Sequence, residues 1–550
     1  MTTAARWRPS AEALLLWVIL LAALALRLDG VAFGLPSLND PDEPLFMMTA
    51  LEMLQKQSLN PGWFGHPGTT TLYSLALVIL AVGGIGIATG RFADVDALAA
   101  AAYADPGIFF LPARLMIVAC GVLCVWLTYR LGKRLGGSRL GLAAAAILAV
   151  NAVHIEYSQI IRTDIQASVF MLLGALAALG IAEQGRRRDY VLAGVCAGLA
   201  CATKWPAAAI GVTALCAWGG RLAQGERDRG GAAWLAVAAV LTLVLVSPYL
   251  LLDHAAVVRN LSGEARPFHP GATGGGFFAN LDWYATGPLR SSLGWTGLAL
   301  AAIGLVWGAG RARHWAIVIV PFCLLFLAMI SLQSLRWERW IVPLLPFAAL
   351  AAARALCGIV DLVPAARWRS AALTAALLGL LAPMVGTARS EASERRHDTR
   401  QIATAWLRAH APPGSRILVE HAAFDLMAAP YALRFPLGSA GCVDVRALLA
   451  GRVRYSRVEN LRGQSAIVDI GHVDRAQLDS CRADFVVVSN RLRYRTDPAA
   501  WPAERARYDM LLAGARLRLA VKAQPGRSSG PVVEVFELPG PAMPPTSGPS

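Results

Sequence analysis

Charge is what this chain has least of. Only 16% of its 550 residues are charged and 56% are hydrophobic, where a soluble domain carries about 25% charged residues. That excludes an ordinary soluble enzyme and a disordered chain. Lysine is nearly absent: Lys56, Lys133, Lys204 and Lys522 stand among 51 basic residues, so each is worth placing. Cysteine is sparse and scattered. Seven of the nine lie in apolar runs, where thiols behave as small hydrophobes. Only Cys442 and Cys481 fall in a polar region, and no spacing suits a zinc site or a disulfide scaffold. A bridge between these two is one reading, and two unpaired buried thiols is the other. Internal repeats are also lacking. The net charge of +15 points by reflex to nucleic acid. The basic residues, however, sit between apolar runs and not on one soluble face, so no nucleic-acid partner is expected.

What the chain has in quantity is long apolar sequence. Runs at 11–28, 111–131, 139–153, 165–183, 190–203, 205–220, 232–250, 293–309, 314–332, 340–357 and 371–387 read as about eleven membrane spans, several short enough to need tilt or broken helices. Arg6 and Arg8 precede the first, which lacks a cleavage motif and reads as an uncleaved anchor. Basic connections at Arg130–Arg139, Arg186–Arg188, Arg221–Arg229, Arg311–Arg313 and Arg354–Arg369 alternate with acidic or lightly charged ones. By the positive-inside rule they face the cytoplasm, which leaves the C-terminal region outside. Residues 72–90 are apolar enough to span, yet both flanks are acidic. They read as a re-entrant or interfacial helix on the outer side.

Residues 390–550 change character. Thr399–Ala411 has an amphipathic helical pattern ended by Pro412-Pro413-Gly414, and Arg416–Glu420, Phe485–Ser489 and Val532–Phe536 read as strands. This predicts a 1–389 membrane domain followed by a small α/β domain at 390–550, with a disordered last dozen residues.

The residues with chemical potential cluster in connections on the outer side. The first is Leu38-Asn39-Asp40-Pro41-Asp42-Glu43-Pro44, followed by Phe64 and His66-Pro67. Further along come Arg162-Thr163-Asp164, Thr203-Lys204-Trp205-Pro206, Ser247-Pro248-Tyr249, Gly263-Glu264, His269-Pro270-Gly271 and Arg336-Trp337-Glu338-Arg339-Trp340. Acidic residues after a first span have a plain structural use as helix caps. The order of these features, however, resembles the GT-C superfamily of polyprenyl-phosphate-sugar-dependent glycosyltransferases. The nearest branch is the one with protein O-mannosyltransferases and lipid A aminoarabinose transferases. Arg339-Trp340 stands where that family often has Arg-Tyr.

The resemblance implies a fold, an α-helical multi-pass GT-C membrane domain with a small C-terminal α/β extracytoplasmic domain, in the cell inner membrane. It also implies an activity: inverting transfer of a sugar from a polyprenyl phosphate to a lipid, glycan or protein acceptor on the outer face. A glycosidase divides acid and base between two carboxyl groups. A polyprenyl phosphate leaves as a stable anion, so one base and a set of cations suffice. Asp42 is the candidate base, with Glu43 orienting it or capping the next helix, Asp164 as a second acidic residue and Asp40 solvated. Lys204, Arg339, Arg336 and Arg162 are candidate phosphate ligands. His66, Glu264 and His269 are candidates for the substrate loop, made flexible by Gly274-Gly275-Gly276. No cofactor is certain; Asp42, Asp164 and His66 are the set that could approach a divalent cation. A secondary transporter and a non-catalytic scaffold with a partner-binding outer domain are the competing readings.

Overall fold

The computed structural model describes residues 10–539 apart from Pro67, 227–229, 265–266, 269–271, 421–424, 445, 447–459, 462–467 and 497. The expected disordered tail and His269 lie outside these residues. Two compact units are present: 1–31, 40–95 and 108–389 form the first, and 32–39, 96–107 and 390–550 the second.

The first unit is a helical bundle. In chain order it holds α1 (Ala11–Leu28), α2 (Glu43–Gln55), α3 (Thr69–Ala88), α5 (Gly107–Ala149, after α4, Val95–Ala104), α6 (Ala152–Ser158), α7 (Asp164–Gln184), α8 (Arg187–Thr203), α9 (Gly211–Leu222) and α10 (Gly231–Val246). It continues through α11 (Tyr249–Leu252), α12 (His254–Glu264), α13 (Phe277–Tyr284), α14 (Arg290–Arg311), α15 (Val320–Ser331), α16 (Leu345–Asp361) and α17 (Ala366–Arg396). Seven helical stretches among the described residues are long and apolar enough to cross a membrane. This is a multi-pass membrane fold. The long α5 breaks at Gly136 and Gly137, the latter at φ 84°, which is the basic connection expected between two runs. Several apolar runs start or finish with 3-10 turns, as at Trp205–Ile210 and Glu338–Leu344, because Pro206 and Pro343 interrupt the helical ladder. Gly194 and Gly198 let α8 approach α10 closely: a Cβ at either would run into backbone at Leu235 and Ala239, the small-residue packing common between membrane helices.

Buried charges bind the bundle. Arg114 of α5 donates from Nε and Nη2 to the two carboxylate oxygens of Glu43 at 2.8 and 2.6 Å, with both side chains wholly buried. Arg27 of α1, also wholly buried, donates to the carbonyls of Ala23 and Ala149 (3.0 Å each) and contacts His154 Nδ1 at 2.8 Å.

The Glu43–Arg114 pair constrains topology. It brings the chain back to one level at two points 71 residues apart. Between them α3, with 20 residues, is the one described helix long enough to cross. The 13 residues of α2 and 10 of α4 reach only about 20 and 15 Å at 1.5 Å per residue. By length and composition α3 is itself a candidate span, so the re-entrant expectation for 72–90 is put to a labelling test. In a background lacking the seven free cysteines, Ser58→Cys and Ala93→Cys should both react with an impermeant thiol reagent from the same side of intact membranes. Reaction of position 93 only after permeabilisation would refute this topology.

The second unit contains a six-stranded mixed sheet, β1 (Arg416–Val419), β2 (Ala432–Pro436), β3 (Cys442–Asp444), β4 (Phe485–Val488), β5 (Arg516–Val521) and β6 (Val533–Glu537), in the order β3-β2-β1-β4-β6-β5. β1 is parallel to β2 and β4, and the other pairings are antiparallel. Strand alternation separates two cores. Ile417, Val419 and Val487 pack with Ala403 and Leu407 of α18 (Thr399–His410), while Leu418, Val486 and Val488 pack with Tyr494, Tyr508 and Leu511. Asp398 caps α18, accepting the Arg400 amide at 2.8 Å. The three strands expected from sequence are β1, β4 and β6. Short β2 and β3 and the exposed β5 carry too little apolar alternation to stand out. Cys442 and Cys481 are disulfide-bonded, with Cα atoms 4.8 Å apart.

Candidate active site

The site grows from the α1–α2 connection. Asp40 begins it: its Oδ1 accepts the amides of Asp42 (2.9 Å) and Glu43 (3.2 Å), satisfying donors that open a helix. Pro44 in the first turn suits the same start. Asp40 also receives Arg162 Nη2 at 3.1 Å, and its side chain is only 12% exposed. It is not the solvated residue expected, because Arg162 and two amides occupy it. Asp42, relieved of capping, turns its carboxylate to Arg162 Nη1 at 2.8 Å and Arg339 Nη1 at 3.2 Å. Glu43 is spent on Arg114 and on the Ile161 amide, which it accepts at 3.0 Å. Through the Ile161 bond it ties the 159–163 turn, and with it Arg162, to the start of α2.

Asp164, the first residue of α7, meets the Lys204 ammonium in a buried ion pair. Lys204 sits in an extended kink between α8 and the Trp205–Ile210 turn. Hydrogen bonds hold that kink: the Gly68 amide donates to the Thr203 carbonyl at 3.2 Å, the Thr70 and Thr203 hydroxyls meet at 2.6 Å, and Trp205 Nε1 donates to the Phe64 carbonyl at 3.2 Å. His66 lies on the same connection, stacked on Phe46 with ring centroids 6.4 Å apart. Burial pushes its pKa down to about 3, with Lys204 and Arg339 adding to the shift, so it is neutral. Burial works against the Arg162 charge, but Asp40 and Asp42 outweigh it and hold the guanidinium above its ordinary value.

Lys204 and Arg339 border a cavity of about 310 Å³. His66, Lys204, Arg339 and Glu264 supply its polar wall. Trp205, Pro206, Phe326, Ile330, Trp340 and Pro343 supply an apolar one. The Gly-rich loop is laid along one edge: the Gly274 amide donates to the Ser334 carbonyl at 2.7 Å and the Arg336 amide to the Ala272 carbonyl at 2.8 Å, while Ser334 and Leu335 line the cavity.

Of the residues singled out from sequence, Asp40, Asp42, Arg162 and Arg339 form one chain of ion pairs, and Asp164 and Lys204 another. Glu264 and His66 join Lys204 and Arg339 at the cavity. Arg336 does not: its guanidinium lies 5.1 Å over the Trp283 ring, away from the cavity wall. Asp42 and Asp164 each hold a cationic side chain, and among the described residues no three His, Cys, Asp or Glu side chains converge as metal ligands. A divalent cation therefore does not fit these residues as placed. Sequence reading missed Arg114 and the cavity's Phe326 and Gln333. Arg114 carried a usable signal, a charge inside an apolar run, which is costly unless paired.

Residues 108–252 match the family of dolichyl-phosphate-mannose-protein mannosyltransferases. No curated protein matches the chain in sequence. Among solved structures it is similar to ArnT from Cupriavidus metallidurans in the apo state (TM-score 0.53, 15% identity, 94% of this chain and 97% of that one covered). It is similar also to the same enzyme bound to undecaprenyl phosphate (TM-score 0.52, 14% identity, 95% and 97% covered). The apo oligosaccharyltransferase of Archaeoglobus fulgidus shares the fold at a TM-score of 0.55 and 12% identity, over 94% of this chain and 74% of that one. The chain has the GT-C fold of these solved structures, as expected from its sequence, and its residues 108–252 match the mannosyltransferase family model.

Proposed function

We propose that the protein is an inverting glycosyltransferase that takes a sugar from a polyprenyl phosphate and passes it to a hydroxyl on a lipid, glycan or protein at the outer face of the inner membrane. The observation that carries this reading is the joining, in one cavity, of Lys204 and Arg339 to an apolar wall. A lipid phosphate has that division: an anionic head and a hydrocarbon tail. The solved ArnT complex with undecaprenyl phosphate shows a protein of this fold holding such a lipid.

In the proposed reaction Asp42 accepts the proton of the acceptor hydroxyl as its oxygen attacks the anomeric carbon. The bond from that carbon to the phosphate oxygen breaks, and the lipid phosphate leaves with the electron pair. Lys204 and Arg339 meet the charge that builds on it. An ammonium has three donors, so Lys204 can keep Asp164 and still bind phosphate. Arg339 spends one of five on Asp42. Asp164 holds Lys204 in place, and Glu43 holds Arg162 through the turn. The trial is transfer of isotope from a labelled polyprenyl-phosphate sugar in proteoliposomes. Label moved across the bilayer with no new glycosidic bond would instead establish a transporter, and no label moved at all would favour a scaffold.

The cation assignment has its own test. Lys204→Ala and Arg339→Ala, each normalised to folded protein, are expected to weaken donor binding by about 1–3 kcal/mol, the loss of a charge-assisted hydrogen bond. Interfacial anchors would lower folded yield and leave the affinity of surviving protein intact. Wild-type donor affinity in both variants removes this site from the mechanism.

A further inference from the structure

One continuous stretch of chain supplies a whole side of the donor cavity. Phe326, Met329, Ile330, Gln333, Ser334 and Leu335 all line it. They come from the second half of α15 and the turn that follows. α15 stops at Ser331, and the last carbonyls of a helix need partners from outside it. Here the carbonyls of Ser331 and Gln333 are both taken by one side chain that is distant in sequence.

That side chain is Asn280, halfway along α13 and wholly buried. Its Nδ2 donates to the Ser331 carbonyl at 3.1 Å and to the Gln333 carbonyl at 2.9 Å, and its Oδ1 accepts the Gly275 amide at 3.1 Å. An Asn amide offers two N–H donors and one carbonyl, so both polar atoms of the group are engaged. The three bonds fasten α13, the Gly-rich segment and the cavity wall to one another. Tyr284, one turn further along α13, adds a fourth: its hydroxyl accepts the amide of Trp337, another lining residue, at 3.3 Å. The fit around Asn280 is close. A Cβ at Gly274 would lie 2.6 Å from Asn280 Oδ1, so glycine at 274 is what lets the amide sit where it does.

We propose, on the reading of this cavity as the donor site, that Asn280 is a positioning residue for donor binding. It does not line the cavity; it fixes the wall against which the donor lipid packs. A wall already held in place costs the ligand nothing to order, whereas a loosened one draws on the binding energy. The competing role is a plain helix cap, which would contribute to stability alone.

The experiment measures binding of radiolabelled undecaprenyl phosphate to purified full-length protein, with thermal unfolding on the same preparations. Asn280→Ala and Gly274→Ala should each weaken binding to the folded protein by about tenfold. The double variant should be no more than about twofold weaker than either single one, because a Cβ at 274 displaces the same amide that Asn280→Ala removes. Gly274→Ala carries the test if Asn280→Ala fails to fold. Wild-type affinity in a folded single variant, whatever its unfolding temperature, would leave Asn280 a cap and overturn the proposal. Losses that multiply in the double variant would also overturn it, since the two positions would then act independently. Lys204→Ala, run alongside, separates the two levels of the argument. A loss there with wild-type affinity in Asn280→Ala would overturn the positioning role alone, and wild-type affinity in both would remove the donor reading with it.

Discussion

Asp42→Asn is expected to lower turnover by about 100-fold or more, the contribution of a well-placed general base, while membrane insertion and fold stay intact. The substitution is nearly isosteric. An Asn oxygen can still accept one N–H from Arg162 or Arg339, which now reach Asp42 at 2.8 and 3.2 Å, so the local frame should persist. What goes is the ability to take a proton and the negative charge between two guanidiniums. Those two losses can be told apart. Removing the charge frees Arg339 for the donor phosphate, so donor affinity should hold or rise; removing the base lowers the chemical step. Measurement of donor affinity and single-turnover rate on one preparation separates them. A near-wild-type single-turnover rate in Asp42→Asn would end the assignment of Asp42 as base.

The second large effect is structural. Arg114→Leu should destabilise the protein by about 3–5 kcal/mol, because it leaves the Glu43 carboxylate uncompensated at a wholly buried position. Thermal unfolding in detergent reads this. The double variant Glu43→Leu/Arg114→Leu should recover much of the loss, since apolar replacement of a buried pair is often neutral. It should not recover activity in proportion. Glu43 also accepts the Ile161 amide, and without it the turn that carries Arg162 toward Asp42 loses its tie. An Arg114→Leu variant as stable as wild type would show that the pair is not a bundle clamp. A fully active double variant would show that it does not position Arg162.

Legibility varied along the chain for physical reasons. The apolar runs announce the helices because hydrocarbon tolerates only a backbone that bonds itself, and the amphipathic α18 and the strands β1, β4 and β6 announce themselves by periodicity. Pairing is another matter. Asp40 read as a solvated carboxylate, yet it both caps α2 and holds Arg162 across 122 residues. Arg336 and Arg339 stand three residues apart with the same side chain; the 3-10 turn that starts at Glu338 leaves Arg339 at the cavity and Arg336 over Trp283. Glu43 and Asp42 are adjacent, and the turn of α2 sends one into the bundle and the other to Arg162 and Arg339.

Local sequence by itself therefore determined the membrane character, the helices, and the short list of polar residues that a bilayer protein would not keep without a use. The tertiary structure alone decided which of them meet. Ion pairs such as Glu43–Arg114, Asp42–Arg339 and Asp164–Lys204 join points from 40 to 297 residues apart. They are set by how helices pack and where prolines and glycines break them, and no spacing rule within one helix or strand reaches that far.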